Sequence, residues 1–112
     1  MTPTTQKFVP YLSVTDAQRA LAFYSQVFGV EPFLVLNMPD GRLMHCEFRI
    51  GDTGFFLSEE LPEHGGTPSP ASLGATTVAI HLYVDDCDAM TDRMRAHGAE
   101  ILAEPVDMFW GE

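Results

Sequence analysis

At 112 residues, with 46% hydrophobic and 20% charged side chains, the chain has the size and composition of one folded domain and is excluded from the disordered class. Its formal net charge of −10 would repel phosphate backbones, so nucleic acid is not an expected partner. No apolar run approaches the roughly 20 residues that cross a bilayer, so no membrane association is expected either.

The opening stretch, Met1 to Lys7, is polar and Thr-rich and lacks the apolar core of a signal peptide, which makes the cytoplasm the default expectation. Phe8 to Val14 reads as a strand. Thr15-Asp16 then supplies a helix N-cap, and Ala17, Ala20, Leu21, Tyr24, Val27 and Phe28 follow the i, i+3, i+4, i+7 stripe of an amphipathic helix that stops at Gly29. Three strands are expected next: Pro32 to Met38, Arg42 to Ile50 after a Pro39-Asp40-Gly41 turn, and Thr53 to Ser58 after Gly51-Asp52. A polar stretch rich in Gly, Pro and Ser follows and reads as a linker over 60–75.

The opening grammar then returns. Thr77 to Val84 reads as a strand, Asp85-Asp86 as an N-cap, and the residues to His97 as a helix ended by Gly98. Its stripe is Cys87, Met90 and Met94, and Glu100 to Ala103 is a short strand before Met108, Phe109 and Trp110. The expected fold class is therefore α+β, made of paired βαβββ modules. The first spans 1–59, and the second, 76–112, is incomplete. Cys46 and Cys87 form no CxxC pair and both fall on apolar rows, so they read as free thiols and not as a disulfide or a zinc site.

Period-two alternation gives each strand a core row and an open row. Met44, Cys46, Phe48 and Ile50 alternate with His45, Glu47 and Arg49. Phe55 and Leu57 alternate with Phe56 and Ser58. Phe8, Leu12 and Val14 alternate with Val9, Tyr11 and Ser13. Val78, Ile80, Leu82 and Val84 alternate with Ala79, His81 and Tyr83. The open rows fit either a solvated sheet face or a concave ligand cup, and Tyr11, Phe56 and Tyr83 tip the reading toward the cup.

Val9-Pro10-Tyr11-Leu12-Ser13-Val14, with Asp16, Ala20-Leu21-Ala22-Phe23-Tyr24 and Phe28-Gly29, resembles the opening of vicinal-oxygen-chelate proteins, the glyoxalase, bleomycin-resistance and dioxygenase superfamily. His45-Cys46-Glu47-Phe48-Arg49-Ile50-Gly51, Leu57-Ser58-Glu59-Glu60, Leu82-Tyr83-Val84-Asp85-Asp86 and Asp107-Met108-Phe109-Trp110-Gly111 are similar to its PhnB-like branch. The resemblance implies a cup between paired modules, a small-molecule ligand and a homodimer. It also implies a divalent metal held by His and Glu at positions that fall here on Val9, Phe56 and Ala79, with a fourth beyond Glu112. Those three side chains cannot bind a metal, so the usual metal site is not expected and the cofactor is left open. Family members continue for two more strands, so a shortened chain, or one that needs a partner to complete its sheet, is also expected.

His45 and Glu47 share a face at i, i+2 and, with His81, are the candidate catalytic residues, being competent acid–base groups or ligands of an alternative metal site. Tyr11, Arg49, Phe56 and Tyr83 are the candidate ligand-binding residues. The competing view has Glu47 and Arg49 simply pairing on the surface. His64 reads as a solvated loop residue and His97 as a structural one near a helix C-terminus. Two functions stand: a lyase- or isomerase-type enzyme, and a protein that sequesters an antibiotic or metabolite without catalysis.

Overall fold

A computed structural model describes residues 6–107. Met108, Phe109 and Trp110 lie outside the described residues. The first strand, β1, is Tyr11–Val14, followed by α1 (Ala17–Phe28), β2 (Leu34–Asn37), β3 (Leu43–Ile50) and β4 (Thr53–Glu59). A 3-10 turn, Pro62–His64, and the short helix α2, Pro70–Leu73, come next, and α3 is Cys87–Ala96. The chain divides into two compact units, one running to Ala79 and one from Ile80. Among the described residues no helix is long and apolar enough to cross a membrane.

The first unit is a mixed α+β module of the expected βαβββ order. Its four strands lie in the order β1-β4-β3-β2, with β1 parallel to β4 and the other pairs antiparallel. Helix α1 begins where the sequence says it must: the Asp16 carboxylate accepts from the Arg19 amide at 3.1 Å, a cap worth about 1 kcal/mol. It ends at Gly29, whose φ of 66° is the left-handed turn that glycine adopts without a Cβ penalty. The apolar stripe of α1 packs on the sheet, with Ala17, Ala20, Leu21 and Tyr24 against Leu43, Cys46, Phe48 and Leu57. The Tyr24 ring meets Phe55 edge-on at 5.1 Å and stacks on Phe28 at 6.0 Å, and burial raises its hydroxyl pKa. Each fully buried Leu or Phe contributes about 1.5–3 kcal/mol, so this layer fixes which face of the sheet is the inner one.

Two row assignments change. The ladder slips by one residue between Leu36 and Asn37: Leu36 pairs with His45, Asn37 with Leu43, and Met44 has no partner opposite. The slip turns Leu43 into the core at 1% exposure and leaves Met44 outside at 40%. Phe8, expected in the core row of the first strand, precedes the β1 ladder and is 91% exposed.

The stretch beyond α2 departs further. Thr77 to Val84 and Glu100 to Ala103 belong to no β-ladder among the described residues, because a strand is defined by a paired neighbour and none is supplied to them. Helix α3 forms as expected, its Asp86 carboxylate accepting from the Ala89 amide at 3.0 Å and Gly98 following it at a φ of 99°. Its stripe buries nothing fully within the described residues, and Cys87 is exposed, not core.

The two thiols therefore sit in opposite environments. Cys46 is fully buried; burial, together with the neighbouring Glu47 charge, pushes its thiol up to about 11. Only a thiolate attacks a disulfide reagent. An aromatic disulfide reagent at neutral pH is expected to titrate one thiol, Cys87, rapidly in the native protein and the second only in denaturant. Two fast equivalents without denaturant would show that Cys46 is not sealed in this core.

Candidate functional site

On the open side of the first unit, register builds the site. Tyr11 stands opposite Phe56 across the parallel β1–β4 ladder, and Phe56 opposite Glu47 across the antiparallel β4–β3 ladder. One row thus crosses three strands, and His45 enters it from two residues up β3. The His45 ring meets Phe56 edge-on at 4.9 Å and Tyr11 at 5.4 Å, and Tyr11 meets Phe56 edge-on at 5.7 Å.

A hydrogen-bonded chain runs through this row. His45 Nε2 lies 2.9 Å from Glu47 Oε2, and His45 Nδ1 lies 2.8 Å from the Tyr11 hydroxyl. A neutral ring satisfies both at once: Nε2–H donates to the carboxylate, and Nδ1 accepts from the phenol. Glu47 is 6% exposed, so its charge is held away from bulk water and leans on this bond, whereas Tyr11 is 54% exposed at the other end. Arg49 does not take Glu47. Its guanidinium sits 4.0 Å above the Phe33 ring, a cation–π contact at the rim of the sheet.

Beside this chain lies a groove of about 530 Å³, bounded by Tyr11, Leu12, Ser13, Met38, Met44, Ser58, Leu61, His64, Gly66 and Thr67. Tyr11 is common to both, so the hydrogen-bonded chain ends at the groove. One wall is the segment after β4. Leu61 anchors it at 7% exposure, and Gly66 approaches the Leu61 backbone so closely that a Cβ would meet the Leu61 oxygen at 3.1 Å. The Ser13 hydroxyl donates to the Thr67 carbonyl at 2.7 Å. The Ser69 amide donates to the Glu60 carboxylate, holding that carboxyl below its usual range. Arg42 bridges Asp40 at 2.9 Å and Glu63 at 2.5 Å, tying the β2–β3 turn to the 3-10 turn and lowering the pKa of both carboxyls.

Of the candidate residues, the first unit brings Tyr11, His45, Glu47 and Phe56 together and sets Arg49 at the rim on Phe33. His81 and Tyr83 belong to the second unit, where their rings meet edge to face at 4.8 Å. Sequence reasoning missed the groove wall: Met38, Met44, Leu61, His64, Gly66 and Thr67. His64 is exposed in the turn after β4, as expected, and also borders the groove. One signal was present, since Ser69-Pro70 has the form of a capped helix start, and Ser69 does cap α2.

The metal implied by the family resemblance does not fit this chain. At the positions that the resemblance implies, the Phe56 ring has no lone pair to offer, and Val9 and Ala79 have none either. Among the described residues no group of three His, Cys, Asp or Glu side chains could hold a metal ion.

A family model for the Glyoxalase/Bleomycin resistance protein/Dioxygenase superfamily matches residues 6–112, and the chain belongs to that superfamily. It is 37% identical over 105 residues to an uncharacterized protein of Mycobacterium bovis, covering 92% of this chain and 69% of that one. The same identity holds to an uncharacterized protein of Mycobacterium tuberculosis, of whose length the chain spans 62%. Among solved structures, the chain is similar to TioX from Micromonospora sp. ML1 (TM-score 0.61, 25% identity, 95% of this chain and 81% of that one). It shares its fold with a hypothetical protein from S. aureus at a TM-score of 0.62 and 20% identity, covering 96% of this chain and 81% of that one.

The burial gradient along the hydrogen-bonded chain gives an ordered pair of stability effects. His45→Ala takes the hydrogen-bond partner from a buried carboxylate and is expected to cost about 1–3 kcal/mol. Tyr11→Phe removes a bond at the exposed end and is expected to cost about 1 kcal/mol or less. Urea unfolding of the two variants beside the parent measures both, and a larger loss in Tyr11→Phe would reverse the assignment of Glu47 as the buried end.

Proposed function

We propose that this chain is a small-molecule enzyme of the lyase or isomerase type, which moves a proton to or from a ligand in the groove through Tyr11, His45 and Glu47. The observation that carries this reading is the unbroken hydrogen-bonded chain from a buried carboxylate to a phenol on the groove wall. Lyase and isomerase steps need a base that removes a proton and an acid that returns it. Tyr11 is placed to do either at the ligand. His45 takes up or replaces the phenolic proton through Nδ1, and Glu47 orients the ring and compensates the imidazolium that forms. No step in this scheme passes through a metal. Arg49, on its Phe33 platform, serves ligand binding from the rim, and Phe56 holds the His45 and Tyr11 rings apart at fixed angles. His81, the third catalytic candidate, and Tyr83 lie in the second unit and take no part in this scheme.

The competing reading, a protein that sequesters an antibiotic or metabolite, draws on the apolar share of the wall: Leu12, Met38, Met44 and Leu61. Incubation in D2O with a panel of ketones (acetone, cyclohexanone, phenylacetone), followed by NMR loss of the α-proton signal, separates the two. Exchange faster than in buffer, reduced roughly 10²-fold or more by Tyr11→Phe, is expected of the proton-moving enzyme. Parent protein no faster than buffer on every ketone would overturn it and leave sequestration.

Within the superfamily we place the chain in the PhnB-like branch, on its His45–Gly51 and Leu82–Asp86 stretches. We place it in the cytoplasm, a setting that its two unpaired thiols favour. We also propose a homodimer. Val78, Ile80, Tyr83, Leu102 and Val106 are 58–88% exposed, and the stretches that carry most of them belong to no ladder. A second copy would cover such a surface and pair such backbone. Sedimentation velocity from low to high micromolar concentration is expected to show a dimer whose thermal midpoint rises with concentration. A monomer with one midpoint throughout would overturn the dimer.

A further inference from the structure

The groove's chemistry is narrower than its volume requires. Among the described residues that bound it there is no Lys, Arg, Asp or Glu, and the titratable side chains are Tyr11 and His64. The cation on the adjoining hairpin, Arg42, already faces two carboxylates, Asp40 and Glu63, so that cluster is net negative. The whole chain carries −10. Arg49 sits on the Phe33 ring outside these bounding residues, so an anionic ligand would enter a repulsive field and meet no counter-charge among them.

The wall also contains two thioethers. Met38 stands at the start of the β2–β3 turn, its amide donating to the Arg42 carbonyl at 2.7 Å. Met44 is there only because the ladder slips by one residue, since regular alternation would have buried it with Cys46 and Phe48. A register slip that exposes a methionine at 40% gives up core burial. What a thioether offers in return is a soft, polarisable contact that favours an aromatic ring over an aliphatic one.

We infer that the groove takes an uncharged aromatic molecule, whose ring lies against Met38 and Met44 and whose oxygen substituent reaches Tyr11. The inference rests on the groove being the ligand site of the proposed enzyme, but not on the enzyme being catalytic. Its selectivity is threefold: ring over saturated ring, neutral over anionic, and dependent on sulfur as distinct from apolar volume.

The test uses the full chain with 13C-methyl methionine, its Met38 and Met44 signals assigned from Met38→Leu and Met44→Leu, and Met90 and Met94 of α3 as internal references. The probes are 2-naphthol, the saturated decahydro-2-naphthol and 2-naphthoate. Expected are saturable upfield shifts of the Met38 and Met44 methyls with 2-naphthol, and at least several-fold weaker binding of the other two. Met44→Leu is expected to weaken 2-naphthol by about two- to tenfold and to leave the saturated alcohol unchanged. Saturated alcohol or naphthoate binding as tightly as 2-naphthol would overturn the ligand class while leaving the groove as the site. Saturable binding that moves neither Met38 nor Met44 would overturn the site itself. Because the readout is a methyl shift and not turnover, either result is separate from the ketone-exchange outcome.

Discussion

Strand β3 is the constraint on which the rest of the first unit depends. A β-strand presents successive residues to opposite faces, so the same eight residues must furnish both the floor of the core and the roof of the site. Cys46 and Phe48 go down under α1 with no exposed surface, and that burial holds His45 and Glu47 up. Glu47 is itself nearly buried, which a carboxylate tolerates only with a partner. His45 is that partner, and it is in reach because i and i+2 share a face. The geometry of the hydrogen-bonded chain is therefore set by core packing on the far side of the sheet. A change at Phe48 would be felt at Tyr11 without touching it.

Much of this was legible because it is local. The N-caps Asp16 and Asp86, the turn at Gly41, the stripe of α1 and the alternation of His45 and Glu47 follow from neighbours in sequence. The one-residue slip opposite Met44 was not legible. It depends on how β2 meets β3, and nothing in either strand alone distinguishes the slipped ladder from a regular one. The wall from Leu61 to Thr67 was missed for a related reason. Its composition says loop, while its position is fixed by long-range bonds from Ser13 and Arg42. Phe8 and the Thr77–Val84 stretch show the opposite error. Both have strand-like alternation, but alternation is only a propensity until a neighbouring backbone supplies the ladder.

The family sets limits and the site supplies content. A fold shared across lyases, isomerases, dioxygenases and binding proteins does not choose among them. What this chain places on its open sheet face is the Phe56 ring, with a hydrogen-bonded phenol, imidazole and carboxylate arranged around it. A hydrocarbon at the centre of such a cluster keeps the polar groups at fixed separations and leaves their bonds to one another. Charge is managed in the same way at the margin, where Arg42 and Arg49 are each engaged, one by carboxylates and one by an aromatic face.

The parallel pairing of β1 with β4 has a consequence for how the molecule comes into being. Strands β2, β3 and β4 are joined by short turns, and their antiparallel ladders close small loops at little entropic cost. The β1–β4 ladder closes a loop that contains α1 and both other strands, so its closure entropy is the largest of the three. Tyr11 arrives with it. The phenol therefore reaches His45 only when β1 docks. A chain in which β1 is undocked would keep the antiparallel β2-β3-β4 ladders yet lack the groove wall that Tyr11, Leu12 and Ser13 supply. The groove and the completed sheet are in this sense the same event.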